Sequence, residues 1–179
     1  MKRQNEGKLA RSSAGFLATI ALVLGAGTAT AGETESYRVA AIKDAAYGKM
    51  IMREKYDTAI ARLERRDRRG LQGFYTATNL CVAYIKTTAL DNAERVCTDA
   101  VDSIEAVLAA RSRVDSGAEL TSIRRYLALA LSNRGVMHAV TGRDAEAQAD
   151  FEAARDIESR LEEPAINLAR HAVALTPGG

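Results

Sequence analysis

The stretch NRGVMHAVTGRDAEAQADFEAA, Asn133–Ala154, decides the fold. It reads as helix, turn, helix. Gly135 lies inside the first helix, a Thr-Gly turn follows, and alanines punctuate the second helix. Glycine inside a helix costs ~1 kcal/mol relative to alanine, so Gly135 needs a packing reason. Ala147 and Ala154 supply one if they face it across the turn. Small residues on both sides let helix axes approach near the ~8 Å end of the usual range.

The same spacing recurs along the chain. Twelve residues after Gly135 comes Ala147, four more reach Phe151, and three more reach Ala154. Applied from Cys81, these offsets give Ala93, Cys97 and Ala100. Applied from Tyr47, they give Ala59, Leu63 and then Arg66, a departure from the small residues elsewhere. Tyr47 to Cys81 and Gly135 to Ala169 are equal intervals, and Cys81 to Gly135 is longer. The excess falls on residues 108–127, with Ser116 and Gly117 at its middle. It therefore adds about ten residues to each of two helices, or ~15 Å apiece. The lengthened pair, around residues 91–140, is expected to form an arm. Ile104, Val107, Leu108 and Val114 line its seam from one side, and Leu120, Ile123, Leu127 and Leu131 from the other.

The rest of the sequence agrees with an all-α reading. Alternating apolar runs are absent, and apolar residues recur at three- and four-residue spacing. Asp57, Asp91 and Asp144 stand where helices should start, as N-caps do. EKYD, GLQG, TALD, VDSG, TGRD and EEP mark turns.

NLCVAYIKTTALDNAERVCTDAV and NRGVMHAVTGRDAEAQADFEAAR resemble tetratricopeptide (TPR) repeats. The family's period of about 34 residues is the interval found twice above. The resemblance covers about residues 38–175. It implies a right-handed solenoid of antiparallel helix pairs: about three repeats, the first an atypical cap, and a C-terminal helix. In it, Cys81, Ala93, Ala100, Gly135, Ala147, Phe151 and Ala154 are the helix-packing positions. The family is a binding scaffold with a concave groove lined by first helices. Here those helices present Tyr75, Asn79, Val82, Lys86, Asn133, Val136 and Asn167. Asn79, Asn133 and Asn167 share one slot in successive repeats. They resemble the asparagine ladder of the O-linked N-acetylglucosamine transferase superhelix, which holds peptide backbone. An amide carries both donors and an acceptor, so it can bond an extended main chain without reading its sequence. The plainer alternative is a set of solvated or helix-bonding asparagines. Asp44 and Gly48 stand where the family's carboxylate-clamp members need Lys and Asn.

The N-terminus reads as a targeting segment, not as fold. Lys2, Arg3, Lys8 and Arg11 precede the apolar run Phe16–Ala26, and Ala29–Ala31 ends in a small-x-small pattern. This is the layout of a secretory signal peptide. The expected division is a signal peptide at 1–31, a helical repeat domain at 32–175 and a tail at 176–179. The expected location is the periplasm of a bacterial envelope, with no stable membrane insertion after cleavage. Residues 1–31 hold four basic residues and one acid, which leaves 21 basic and 22 acidic residues beyond them. That balance removes the compositional support for nucleic-acid binding. Residues 49–69 are basic and 144–163 acidic. This is either two solvated faces or the basis of head-to-tail self-association.

No phosphate loop, nucleophile elbow or metal-ligand spacing stands out, so no enzyme, cofactor or metal is expected. The expected function is a scaffold for a protein or peptide partner. The alternative class is a thiol-active or catalytic envelope protein that uses Cys81 and Cys97. His138 takes an aromatic slot of the repeat, where packing is its natural role. Cys81 and Cys97 fall on facing helices, offset axially by only ~3 Å. In an oxidising compartment they form either a staple or two small buried apolar residues. A bond needs Cα atoms ~4.4–6.8 Å apart, closer than helices usually bring them, and this favours the second reading.

Overall fold

The computed structural model describes residues 37–66, 69–112 and 117–176. The expected signal peptide at 1–31, residues 32–36, Val114 and Ser116 of the expected arm, and residues 177–179 lie outside the described residues. Among the described residues there are seven helices and no strand. They are α1 (Gly48–Ile51), α2 (Tyr56–Leu63), α3 (Gly70–Lys86), α4 (Leu90–Arg111), α5 (Ala118–Val140), α6 (Asp144–Ile157) and α7 (Glu162–Ala174). None of them is long and apolar enough to cross a membrane.

From α3 onward each helix packs mainly on the next in sequence. In addition, α3 touches α5 and α5 touches α7, so the first helices of successive pairs are neighbours. The α3–α4 and α5–α6 turns are built alike. Thr88 and Gly142 take φ of 56° and 74°. The next amides, of Ala89 and Arg143, donate back to the carbonyls of Tyr84 and His138. That six-to-one bond satisfies orphan carbonyls at a helix end. Glycine adopts this backbone freely, whereas β-branched Thr88 is strained in it.

Helix starts differ from the expected N-caps. Asp57 and Asp91 are the second residues of α2 and α4, Asp144 is the first of α6, and none makes a side-chain cap bond. They act instead as first-turn anions on the helix dipole. GLQG is the opening turn of α3, not a break.

The first helix of repeat one is where the fold departs most from the expected solenoid. Around Tyr47 only the four residues of α1 are helical. Residues 38–42 form a non-helical strap that crosses α3, α5 and α7. Main-chain groups held by other helices' side chains cannot also close helical hydrogen bonds, so this segment stays out of a helix. Gly48 closes the strap tightly, because a Cβ there would lie 2.0 Å from the Ile42 carbonyl oxygen. Tyr47 and Arg66, the two misfits of the repeat pattern, meet each other: the Arg66 guanidinium lies 6.0 Å from the Tyr47 ring centre and Arg62 lies 5.6 Å from it. A cation–π contact stands here where the sequence pattern expects two small residues.

The arm is present as α4 and α5, of 22 and 23 residues. Ile104, Ile123, Leu127 and Leu131 are buried in one cluster, with Val107 and Leu108 packed on it and Leu120 half-buried. Phe74 and Ala100 join this cluster from the body of the protein.

Gly135 faces Phe151 more closely than it faces either alanine. A Cβ at Gly135 would lie 2.6 Å from Phe151 Cε1 and 3.2 Å from Asp150 Cβ. Ala147 and Ala154 are fully buried nearby contacts between the helices, as Ala93 is in the preceding pair. In that preceding pair Cys81 and Cys97 stand where Gly135 and Phe151 do, and they are joined by a disulfide with Cα atoms 4.8 Å apart. Equivalent positions thus hold a glycine against an aromatic ring in one pair and a covalent staple in the other. The expectation of two free buried thiols is overturned: the Cα separation of 4.8 Å falls within the range a disulfide needs.

Candidate functional site

Asn79, Asn133 and Asn167 sit at equivalent places on α3, α5 and α7 and are all at most 1% exposed. Each amide pairs with both main-chain groups of one strap residue. Asn167 Oδ1 accepts from the Arg38 N–H at 2.7 Å, and its Nδ2 donates to the Arg38 carbonyl at 2.7 Å. Asn133 does the same with Ala40, at 2.9 Å for both bonds. Asn79 does it with Ile42, at 2.8 and 3.3 Å, and also donates to the Ala46 carbonyl at 3.2 Å. Alternate residues are engaged, as an extended chain requires, since its N–H and C=O pairs point to opposite edges with period two. Two residues of extended chain advance ~6.6 Å, so successive helices present their amides at about that interval.

The head of the strap is held differently. The Tyr37 ring stacks on Phe151, with centroids 6.0 Å apart, and its hydroxyl lies 3.1 Å from His171 Nδ1. His171 is 2% exposed, and its Nε2 lies 2.9 Å from the Asp144 carbonyl oxygen. A carbonyl only accepts, so Nε2 donates to it, and Nδ1 is left to share a hydrogen bond with the Tyr37 hydroxyl. Phe151 thus touches the strap on one side and the Gly135 backbone on the other. The small-residue contact and the strap form one packed unit.

The other expected groove residues are placed differently. Val82 and Val136 are buried in the same cluster as Tyr37, beneath the strap. They are therefore core residues here, not a surface open to a partner. Lys86 is the last residue of α3, about two turns beyond Asn79. Tyr75 packs against Phe74 and edge-on against Tyr126, each at 5.5 Å. Burial, with the Tyr126 hydroxyl beside it, pushes the pKa of Tyr75 up to about 12. Beside the strap a cleft of about 390 Å³ remains, walled by Ala40, Ala41 and Ile42 on one side and Ser122, Arg125, Tyr126 and Leu129 on the other. Leu161 and Glu163 complete its lining.

Sequence reading places the three amides in one slot but does not find what fills them. The usable signal is the need of three buried asparagines for partners, together with a first repeat too irregular to supply a full helix. Replacing Asn133 by leucine keeps the volume and removes both bonds to Ala40. It is expected to cost ~2 kcal/mol, the typical penalty for leaving buried polar groups unpaired. Hydrogen exchange should show the Ala40 amide losing protection before those of α5.

A second polar cluster ties α5 to α6. Arg134 grips Asp150 with two bonds of 2.8 Å, and His138 Nε2 lies 3.6 Å from the same carboxylate. His138 Nδ1 is buried without a hydrogen-bond partner. Burial, and then the Arg143 charge, hold His138 below its ordinary 6.5, with Asp150 opposing and Arg134 adding to the depression. The folded protein therefore binds fewer protons here than the unfolded chain. This contribution to stability is full above about pH 6.5 and declines as the pH falls through that value. Denaturant midpoints of wild type should drop more between pH 7.5 and 5.5 than those of His138→Gln.

Among the described residues no three His, Cys, Asp or Glu side chains cluster as metal ligands would. Comparison with protein-family models, curated proteins and solved structures finds no match. The site is thus defined by its own geometry: an all-helical protein that clamps an extended main chain with a row of buried amides.

Proposed function

We propose that this is an exported TPR-type adaptor, a right-handed solenoid that binds an extended segment of a partner protein along its concave face. The observation that carries the reading is the two-point pairing of three buried amides with alternate residues of one extended segment. Such a row recognises main chain and is indifferent to most side chains, which suits a scaffold. Export to the periplasm rests on the N-terminal layout, and the disulfide suits an oxidising compartment. The cysteines support a staple over a reactive thiol, because they are bonded to each other and at most 1% exposed.

Position-resolved cross-linking in native cells tests the reading. A photoreactive residue at Ser122 or Arg125, both exposed on the groove-side cleft, is expected to give a discrete protein adduct. One at Arg155 or Asp156, exposed on α6, is expected to give none. Equal labelling from both faces, or none from the cleft, refutes it.

A further inference from the structure

The strap is more than a cap: it displays in detail a ligand that the groove accepts. We propose that the groove's partner segment replaces the strap residue for residue, and that it carries a tyrosine at its head, two residues before the first of its small or aliphatic positions. This rests on the reading of the groove as a partner site and names the chemistry of the partner. The ladder fixes the spacing through the main chain of residues 38, 40 and 42. Side-chain selectivity then falls to the positions between them. Tyr37 enters the slot formed by Phe151 and His171, where the phenol ring stacks and the hydroxyl meets Nδ1. The hydroxyl bonds Nδ1, a contact phenylalanine cannot make, so the slot distinguishes tyrosine from phenylalanine. Val39 and Ala41 pack on the same cluster as Tyr37 and call for aliphatic or small residues. The opposite edge of the strap is open. No hydrogen bond engages the main chain of Val39 or Ala41 among the described residues, so the ladder bonds are the main-chain bonds that release of residues 38–42 from the helices has to break.

Exchange in wild type is uphill for a free peptide. A tethered strap acts at an effective concentration in the millimolar range, so a competitor must either bind tightly or meet a strap already weakened. Ala40→Pro weakens it without touching the groove, since proline has no N–H for Asn133 to accept from.

The test uses a fluorescein-labelled peptide of residues 37–46, YRVAAIKDAA, titrated into the mature protein and its Ala40→Pro variant. Saturable binding to the variant is expected, with at least tenfold weaker binding to wild type. The peptide with phenylalanine for tyrosine should bind about tenfold more weakly, the loss of one hydrogen bond. The peptide carrying proline at the fourth position should not bind. Absence of binding to a variant that keeps its helical circular dichroism and its disulfide overturns the proposal, and so does equal affinity of the tyrosine and phenylalanine peptides. Should the variant fail to fold, hydrogen exchange of wild type decides. The amides of Arg38, Ala40 and Ile42 are expected to open together well below the global unfolding limit, and exchange only on global unfolding refutes release. A positive cell cross-link with a negative peptide titration leaves the adaptor reading standing and removes this one.

Discussion

Gly135→Leu is expected to destabilise the protein by about 3 kcal/mol, the upper part of the range for overpacking a filled interior. The first added carbon already meets Phe151 at 2.6–2.7 Å. Phe151 is fully buried, stacked on Tyr37 and edge-on to His171, so its ring has nowhere to swing. The neighbouring backbone atoms of α6 must move instead. The substitution also gains helix propensity, ~1 kcal/mol relative to glycine, which the clash has to exceed. Ala147→Leu, on the facing helix at a fully buried position, should behave alike, while Glu146→Gln on the exposed side should be neutral. Denaturant midpoints rank the three, and equal midpoints contradict close packing at Gly135. A second readout separates this site from a generic core defect. Displacing Phe151 loosens the Tyr37 stack, so Gly135→Leu should also speed exchange of the strap amides.

Removing the staple is the other large effect. Cys81→Ala with Cys97→Ala releases a loop closed over a sequence separation of 16. Loop-closure entropy then predicts a loss of ~3 kcal/mol. For a chain of this size that corresponds to a fall in melting temperature of roughly 6–12 °C. Alanine leaves little cavity beyond the two sulfurs, and both flanking helices keep their alanine contacts at Ala93 and Ala100. Thermal melts of wild type with and without reductant should bracket the double variant. An unchanged melt after complete reduction would show that packing alone holds α3 to α4. Two alkylated thiols in unreduced, unfolded protein from native cells would show that the bond is not formed in the cell.

The two substitutions probe one structural position in consecutive helix pairs. Gly135 and Phe151 have the same sequence separation as Cys81 and Cys97. At this equivalent position the chain uses either no side chain on one partner or a covalent link between both. The staple holds α4 on α3 and the glycine contact holds α6 on α5, each two residues beyond a ladder asparagine, Asn79 or Asn133.

Much of this was legible in the residues alone. Helical periodicity, the small residues at constant offsets and the insert at 108–127 set the helices, their pairing and the long α4–α5 seam. These are local or short-range properties: a helix is defined by its own spacing, and consecutive helices joined by short turns pack on each other. The slot shared by Asn79, Asn133 and Asn167 followed from the same register. What fills that slot did not. Residues 38–46, RVAAIKDAA, carry no strand pattern and would suit a helix on propensity. The state of residues 38–42 is decided by groups 37 to 129 residues away, whose buried amides pair with alternate residues only if this stretch is extended. The disulfide is of the same kind, since spacing allows it but only the local approach of two helices brings the sulfurs together. Sequence by itself therefore determined the helices and their order. The tertiary structure decided the strap, because propensity differences of tenths of a kcal/mol per residue yield to buried polar groups that cost ~1–3 kcal/mol each when left unpaired.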